Sequence, residues 1–224
     1  MVAKDRQRSK AFTTPPTSRP VRWAKGMPRA DSKFEPAYDT GVEIYTPRLL
    51  LRRFREDDLE AFVAYRRDPD VARFQSWDTS YSIDDARAFF AQQLTLEPGQ
   101  AGDWLQLAIE QRANGALCGD CGVQVLTEQP RTAELGITLA SLYQKRGVGA
   151  EALAAIIRWL FGELNVHRVF ANADDRNVRM QQLLERLGFR LEARFIDADW
   201  FKGEWTTLRV YALLRRDWTS DGPS

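Results

Sequence analysis

The sequence predicts a mixed α/β fold in which a central, mostly antiparallel sheet is flanked by helices. Two observations lead to this prediction. Short apolar runs bounded by turn residues alternate with runs of helical spacing, and three consecutive strand-like runs near the middle of the chain predict a meander. With 224 residues, 44% of them hydrophobic, the chain has the composition of an ordinary globular domain.

The first predicted elements are a strand and a helix. "RLLLRRF" (48–54) is rich in leucine and predicts the first strand. The following acidic residues, Asp57 or Asp58, are expected to cap a helix. The apolar residues expected to share one face of that helix are Leu59, Phe62 and Val63.

A second helix and the meander come next. Ser82 and Asp85 have the spacing of a capping box ahead of "ARAFFAQQL". Three strand-like runs then cover 104–110, 121–126 and 132–140, and turn residues separate them. This order predicts an antiparallel meander.

The last third of the chain alternates helices and strands. A helix begins after a glycine-rich segment near residue 147, and "HRVFANA" (167–173) predicts a strand. The next helix ends at Gly188, and two long strand-like runs (189–199 and 204–214) are joined by a turn at Gly203. The apolar face of that helix is Met180, Leu183, Leu184 and Leu187.

Domain organisation follows from composition. Residues 1–40 hold five prolines, many basic residues and few apolar ones, so we expect a disordered basic tail. Residues 41–218 show neither an internal repeat nor a second linker and are predicted to form a single domain, with a short C-terminal tail at 219–224.

Composition also argues against several classes of protein. The chain has no apolar stretch long enough for a membrane span and no secretory signal, so we expect a soluble cytoplasmic protein. A net charge of +1 gives no general attraction to nucleic acid or membrane. Cys118 and Cys121 have neither a second cysteine pair nor more than one histidine, His167, to complete a zinc site, so no metal is expected.

The segment "YQKRGVGAEALAAIIRWLF" (143–161) carries the main functional signal. Two glycines, Gly147 and Gly149, open a predicted helix directly after the cationic residues Lys145 and Arg146. The first-turn amides of a helix lack intrahelical partners and bind phosphate oxygens well. A helix start whose glycines serve only tight packing is the alternative. "GVGAEA" also fits a dinucleotide pattern, but six residues separate it from the preceding strand.

Several phrases of the sequence together resemble the GCN5-related N-acetyltransferase (GNAT) superfamily. They are "TPRLLLRRFREDDLEAF", "AELGITLASLYQKRGVGAEAL", "NVRMQQLLERLGF" and "VYALLRRDW", and their order is most similar to the branch of the ribosomal-protein (RimJ/RimL type) acetyltransferases. The resemblance implies the GNAT fold, with about seven strands and about four helices. It also implies acetyl-CoA as the co-substrate and a primary amine as the acceptor, acetylated by direct attack in a ternary complex.

The resemblance also implies a set of coenzyme-binding residues. The strand residues Ile137, Thr138 and Leu139 would pair with the pantetheine amides in the manner of an added strand. Asn177 would contact the same arm at the start of the next helix. The residues of the pyrophosphate loop would be Gln144, Lys145, Arg146, Gly147, Val148, Gly149 and Ala150.

Catalytic groups are less clearly marked. Glu134 lies out of phase with Ala133 and Leu135, so it faces the other side of the sheet, and it is the candidate base. An ordinary solvated glutamate is the alternative. Many GNAT members carry a tyrosine acid at the position of Leu184 and often a serine at that of Met180, so a general acid is not assigned.

These departures keep a second hypothesis open. A non-catalytic acetyl-CoA-binding or regulatory protein of the same fold is the alternative to an active enzyme. Tyr143 and Tyr211 are candidate substitutes for the missing acid, and packing is the favoured interpretation of both.

Two segments are expected to border the acceptor. One is the hairpin "FIDADWFKGEW" (195–205), whose carboxylates and aromatic rings suit a cationic amine, and the other is "FQSWDTSYS" (74–82). A hairpin with a solvated rim is the alternative reading. The sequence does not decide whether the acceptor is a peptide N-terminus or a small molecule. It does not decide whether the protein forms a homodimer either.

Overall fold

The computed structural model describes residues 42–129 and 131–219, so the predicted tail at 1–40 and most of that at 219–224 lie outside the described residues. The strands are β1 (Glu43–Tyr45), β2 (Leu49–Arg53), β3 (Trp104–Gln111), β4 (Ala116–Val125), β5 (Thr132–Leu139), β6 (Arg168–Asp174), β7 (Arg190–Phe201) and β8 (Glu204–Leu214). The helices are α1 (Leu59–Arg66), α2 (Pro69–Ala72), α3 (Ile83–Gln93), α4 (Val148–Gly162) and α5 (Val178–Arg186). Among the described residues, no helix is long and apolar enough to cross a membrane.

The eight strands of the described residues join one sheet in the order β1-β2-β3-β4-β5-β6-β8-β7. The strand pairs are antiparallel except for β5 and β6, which are parallel. The chain crosses from β5 to β6 through helix α4. The predicted mixed, mostly antiparallel sheet and the meander of β3, β4 and β5 are confirmed. The parallel ladder between β5 and β6 is short, so the two strands are not paired with each other beyond Glu134.

The N-terminal elements differ in detail from the prediction. The strand β1, which pairs with β2, was not predicted. Asp58 does precede α1, but its side chain makes no cap to that helix. It instead accepts hydrogen bonds from the Arg52 guanidinium and from the backbone amide of Arg55. By contrast, the capping box of Ser82 and Asp85 on α3 is present as predicted.

Two apolar cores lie on opposite faces of the sheet. The larger core contains the inner faces of α4 and α5, including the fully buried Ile156 and Leu184. The smaller core lies beneath α1 and α3, around Phe62. The α5 helix ends at Arg186, and Gly188 two residues later has a φ of 85°, the left-handed conformation expected of the predicted helix stop.

The three-residue spacing of Cys118 and Cys121 predicts that they point to opposite faces of a regular strand. In β4 they point to the same face. Both are buried in the larger core. The register of β3 and β4 shifts between Ile109 and Glu110, which leaves Cys118 without a paired residue. This bulge changes the alternation of side chains and brings both thiols to one side. Burial raises the pKa of Cys118 to about 11 and raises that of Cys121 further.

The β5 and β6 strands separate part-way along their length. Their ladder covers only 132–134 of β5, with Glu134 opposite Phe170 as its last pair. Beyond it, β5 continues to pair with β4 as far as Leu139. In the described part of the chain, residues 135–139 therefore have a strand on one side only. Their other edge faces a widening split.

Candidate functional site

A cavity of about 560 Å³ lies at this split. It is bounded by the open end of β5, the segment that begins α4, the start of α5, and the stretch from α2 to Gln75. The predicted coenzyme-binding residues that line it are Ile137, Thr138, Leu139, Gln144, Lys145, Gly147, Gly149, Ala150 and Asn177. The fold thus brings together residues that lie up to forty positions apart in the sequence.

The start of α4 and the residues just before it line this cavity. Gly147 precedes the helix with a φ of 77°, a left-handed conformation that glycine adopts readily. The amides of the first helical turn, from Val148 onward, have no intrahelical acceptor. A Cβ added at Gly149 would lie 3.3 Å from Leu183 Cδ2 and 3.4 Å from Leu139 Cδ1. The glycine therefore allows the helix start to lie directly against β5 and α5.

Arg48 anchors this segment from the turn between β1 and β2. Its guanidinium donates to the carbonyl of Arg146 at 3.0 Å and to Glu151 Oε2 at 2.6 Å. Glu151, in the first turn of α4, also accepts from Thr46 Oγ1 at 2.6 Å. Burial raises the pKa of Glu151, but these hydrogen bonds outweigh burial and lower it. Nothing in the sequence near residue 48 signals these anchors, because their partners lie about a hundred positions away.

Gln144 connects the end of β5 to α5. Its Nε2 donates to the carbonyl of Leu139 at 3.0 Å, and its Oε1 accepts from Arg179 Nη1 at 3.1 Å. Asn177 has a related structural role, since its side chain caps α5 by accepting from the amide of Met180 at 3.2 Å. Gln144 and Asn177 thus hold the walls of the cavity in place, and their predicted contacts with the coenzyme stay a prediction.

The cavity lining is strongly basic. One carboxylate, that of Asp70, is accompanied by five cationic side chains, which are Arg73, Lys145, Arg176, Arg179 and Arg186. Arg176 is paired with Asp174 and Glu204. A surplus of guanidinium and ammonium groups beside a helix N-terminus suits a ligand with several phosphates.

Three predicted site residues do not line the cavity. The Arg146 side chain is exposed and Val148 is buried in the larger core. Glu134 lies beside the point where β5 and β6 separate, and its Oε1 accepts a hydrogen bond from Asn172 Nδ2 at 2.8 Å. Burial raises the pKa of Glu134, and the bond from Asn172 opposes this by lowering it.

The tyrosines considered as acids do not reach the cavity. Tyr143 packs against the larger core, and the buried Tyr211 donates to Glu185 at 3.2 Å. Leu184 is fully buried in the same core, whereas its neighbour Leu183 lines the cavity. Within 42–129 and 131–219, no three His, Cys, Asp or Glu side chains come together as a potential metal site.

The two predicted walls of the acceptor region contact one another. Lys202, at the tip of the β7–β8 hairpin, donates to the carbonyls of Ala72 at 2.7 Å and of Trp77 at 2.6 Å. On the same hairpin, Trp200 and Trp205 stack edge to face at 5.3 Å, and each is 61% exposed. The hairpin is thus clasped to the segment that follows α2, with its aromatic rings facing solvent.

The sequence matches a known protein family over more than half of its length. Residues 48–190 match the profile of the family described as "Acetyltransferase (GNAT) domain". The uncharacterized N-acetyltransferase p20 of Bacillus licheniformis is 27% identical over 177 residues, which are 78% of this chain and 97% of that protein. The [ribosomal protein uS5]-alanine N-acetyltransferase of Escherichia coli is 36% identical over 85 residues, 38% of this chain and 44% of that protein.

Solved structures share the fold. A spermidine N-acetyltransferase from Vibrio cholerae, in complex with CoA and spermine, superposes with a TM-score of 0.67 at 17% sequence identity. The superposition covers 77% of this chain and 98% of that one. At this identity the likeness concerns the fold alone.

Proposed function

Because the chain belongs to the GNAT acetyltransferase family, we propose that it transfers the acetyl group of acetyl-CoA to a primary amine by direct attack in a ternary complex. Family membership makes it an acetyltransferase, and the co-substrate, the acceptor and the order of events are the proposed parts. The observation that carries the proposal is the cavity between the open edge of β5 and the basic start of α4.

The residues of the cavity fit acetyl-CoA in two ways. The edge of β5 at 135–139 lacks a strand on one side, so its outward peptide groups can pair with the amides of a pantetheine arm, except for the Leu139 carbonyl, which accepts from Gln144. The amides after Gly147, together with Lys145 and Arg179, suit a pyrophosphate. A ligand that spans both features needs an amide-bearing chain attached to phosphates.

Glu134 is the proposed base. The neutral amine nitrogen attacks the carbonyl carbon of the thioester, the carbon–sulfur bond breaks, and the amine gives its proton to Glu134, directly or through water. A carboxylate with a raised pKa accepts a proton more readily than a fully solvated one. A general acid is not required in this proposal, because the thiolate takes a proton from solvent.

The proposed acceptor is a primary amine that is cationic in solution. The hairpin carries Asp197 and Asp199 on the same strand as Trp200, whose ring is paired with that of Trp205, and carboxylates with aromatic faces attract ammonium groups. The third carboxylate of the hairpin, Glu204, is already paired with Arg176. The two acceptor classes to test first are a peptide N-terminus beginning with alanine and a polyamine, in line with the names of related acetyltransferases.

Calorimetric titration tests the coenzyme assignment. We expect acetyl-CoA to bind the wild type with micromolar affinity, and Arg179→Glu to weaken the affinity about tenfold or more, since it reverses a charge in the lining. Arg158→Glu is the matched control, because Arg158 is exposed on α4 and does not line the cavity. Equal affinities in both variants, or tighter binding of a nicotinamide dinucleotide, would contradict the assignment.

Release of free thiol tests the chemistry. The wild type is incubated with acetyl-CoA and a panel containing alanine-initiated peptides, spermidine and single amino acids. Turnover with at least one amine is the expected result. Tight coenzyme binding without turnover on any amine would favour instead the non-catalytic protein that Leu184 and Met180 suggest.

A further inference from the structure

Asn172 contacts Glu134 at the point where β5 and β6 part. The last paired residues of the parallel ladder are Glu134 and Phe170, so Asn172 lies two residues beyond the ladder on β6. Its Nδ2 donates to Glu134 Oε1 at 2.8 Å, which places this side-chain hydrogen bond across the narrow end of the split. The contact joins the two strands where backbone hydrogen bonds no longer do.

This arrangement fixes one oxygen of the carboxylate and leaves the other free. Glu134 Oε2 has no hydrogen-bond partner among the described residues. The terminal torsion of a glutamate is broad when the group is unrestrained, and an anchored Oε1 narrows the range of directions in which Oε2 points. Such restriction matters for a group that must meet a proton in a defined geometry.

We propose that Asn172 is a positioning residue of the acetyl-transfer site, which holds the Glu134 carboxylate at the narrow end of the split with Oε2 available to the acceptor amine. The inference rests on the proposed function and on Glu134 as its base. Asn172 touches neither substrate in this proposal and acts through Glu134.

The surroundings of Glu134 single out Asn172. The register partners of Glu134 are Gln124 on β4 and Phe170 on β6, and neither side chain ionises. Trp104 of β3 pairs with Gln124, and Val210 of β8 pairs with Asn172. No titratable group stands at these neighbouring positions of the sheet, so the amide of Asn172 is the main group that favours the ionised carboxylate against burial.

The pH dependence of kcat/KM separates positioning from a general structural role. In Asn172→Ala the carboxylate loses its donor, so the pKa of Glu134 rises and the acidic limb of the profile moves to higher pH. On that limb we expect kcat/KM to fall about tenfold, with the affinity for acetyl-CoA unchanged. The same amine is used throughout, so its own ionisation contributes equally to every profile.

Two further variants complete the design. Adding Asn172→Ala to Glu134→Gln should cost no additional activity, because a residue that acts through Glu134 has nothing left to position. Asn114→Ala is the matched control, since Asn114 also makes a side-chain hydrogen bond, to the amide of Ala116, but in the distant β3–β4 turn. Asn172→Gln, which keeps a donor, should recover part of the lost rate.

The outcomes are distinguishable. An active wild type whose acidic limb does not move in Asn172→Ala, or an Asn172→Ala effect that persists in full in the Glu134→Gln background, overturns the inference alone. A wild type without turnover on any amine overturns the proposed function and this inference with it. Carboxyl ¹³C titration by NMR gives the Glu134 pKa without turnover, and an unchanged value in Asn172→Ala also overturns the inference.

Discussion

The two halves of β5 differ in their neighbours. The first half, 132–134, lies between β4 and β6, and it ends at Glu134, whose carboxylate is held by Asn172. The second half, 135–139, has β4 on one side and the cavity on the other. The proposed role of the first half depends on one side chain, that of Glu134. The proposed role of the second half depends on its unpaired main chain.

This difference predicts how each half responds to substitution. A site that works through a side chain loses its function when that side chain changes. A site that works through peptide groups tolerates new side chains but fails when its backbone is displaced. The predictions below test this contrast, and they run from the largest expected effect to the smallest.

The largest effect is expected at Glu134. In Glu134→Gln the base is lost while the shape is kept, so kcat should fall roughly 100- to 1,000-fold, about 3–4 kcal/mol in the activation free energy. The affinity for acetyl-CoA should stay within about twofold, because Glu134 does not line the cavity. Steady-state thiol release and calorimetry measure the two quantities, and a normal kcat would remove Glu134 from the mechanism.

A smaller but still large effect is expected where the backbone of β5 is tightly packed. A Cβ added at Gly119 of β4 would lie 2.0 Å from the carbonyl oxygen of Thr138, so Gly119→Ala must push β4 and β5 apart. We expect a loss of about 2–3 kcal/mol in the free energy of unfolding. Chemical denaturation measures it.

Gly136→Ala is the matched control for this prediction. A Cβ at Gly136 meets nothing within 4 Å, and the residue lies on the same strand as Thr138. Its stability should change by less than about 0.5 kcal/mol. Equal losses in both variants would show that the alanine, rather than the close approach of the two strands, is responsible.

Much of this contrast could be predicted from the sequence. Side chains alternate between the two faces of any β-strand, which separates Glu134 from Ala133 and Leu135. The glycines near residue 147 indicate a helix start, whose first amides lack intrahelical partners. These signals are local, since neighbouring residues determine them. The coenzyme-binding residues themselves came from the family resemblance and remain a prediction.

The contacts that the sequence did not reveal are those between distant segments. Arg48 reaches Arg146 and Glu151, and Asn172 reaches Glu134, only because the order of strands brings them together. The bulge that turns both cysteines to one face is a further example, because the register of a partner strand creates it. The pattern of a single segment carries no information about such contacts, because they depend on a second segment.

A substitution at Arg48 tests whether anchoring the loop before α4 matters for coenzyme binding, because Arg48 holds that loop but does not line the cavity. Arg48→Ala removes the hydrogen bond to the Arg146 carbonyl and the ion pair with Glu151, so the loop before α4 loses its anchor. We expect acetyl-CoA to bind about five- to tenfold more weakly, about 1–1.4 kcal/mol. Arg112→Ala is the control, because Arg112 donates to the carbonyl of Thr46 in the same turn without reaching the loop. Calorimetry on both variants is the measurement, and equal weakening would reject a specific anchor.

The smallest effect is expected on the open half of β5. Thr138 lines the cavity and is largely buried, yet no side-chain hydrogen bond of its hydroxyl is present among the described residues. Thr138→Val keeps the shape of the side chain and every peptide group of the edge. If that edge binds the pantetheine arm through its main chain, the calorimetric affinity for acetyl-CoA should change by no more than about twofold. A tenfold loss would instead mean that the hydroxyl itself holds the coenzyme, and the two halves of β5 would then both act through side chains.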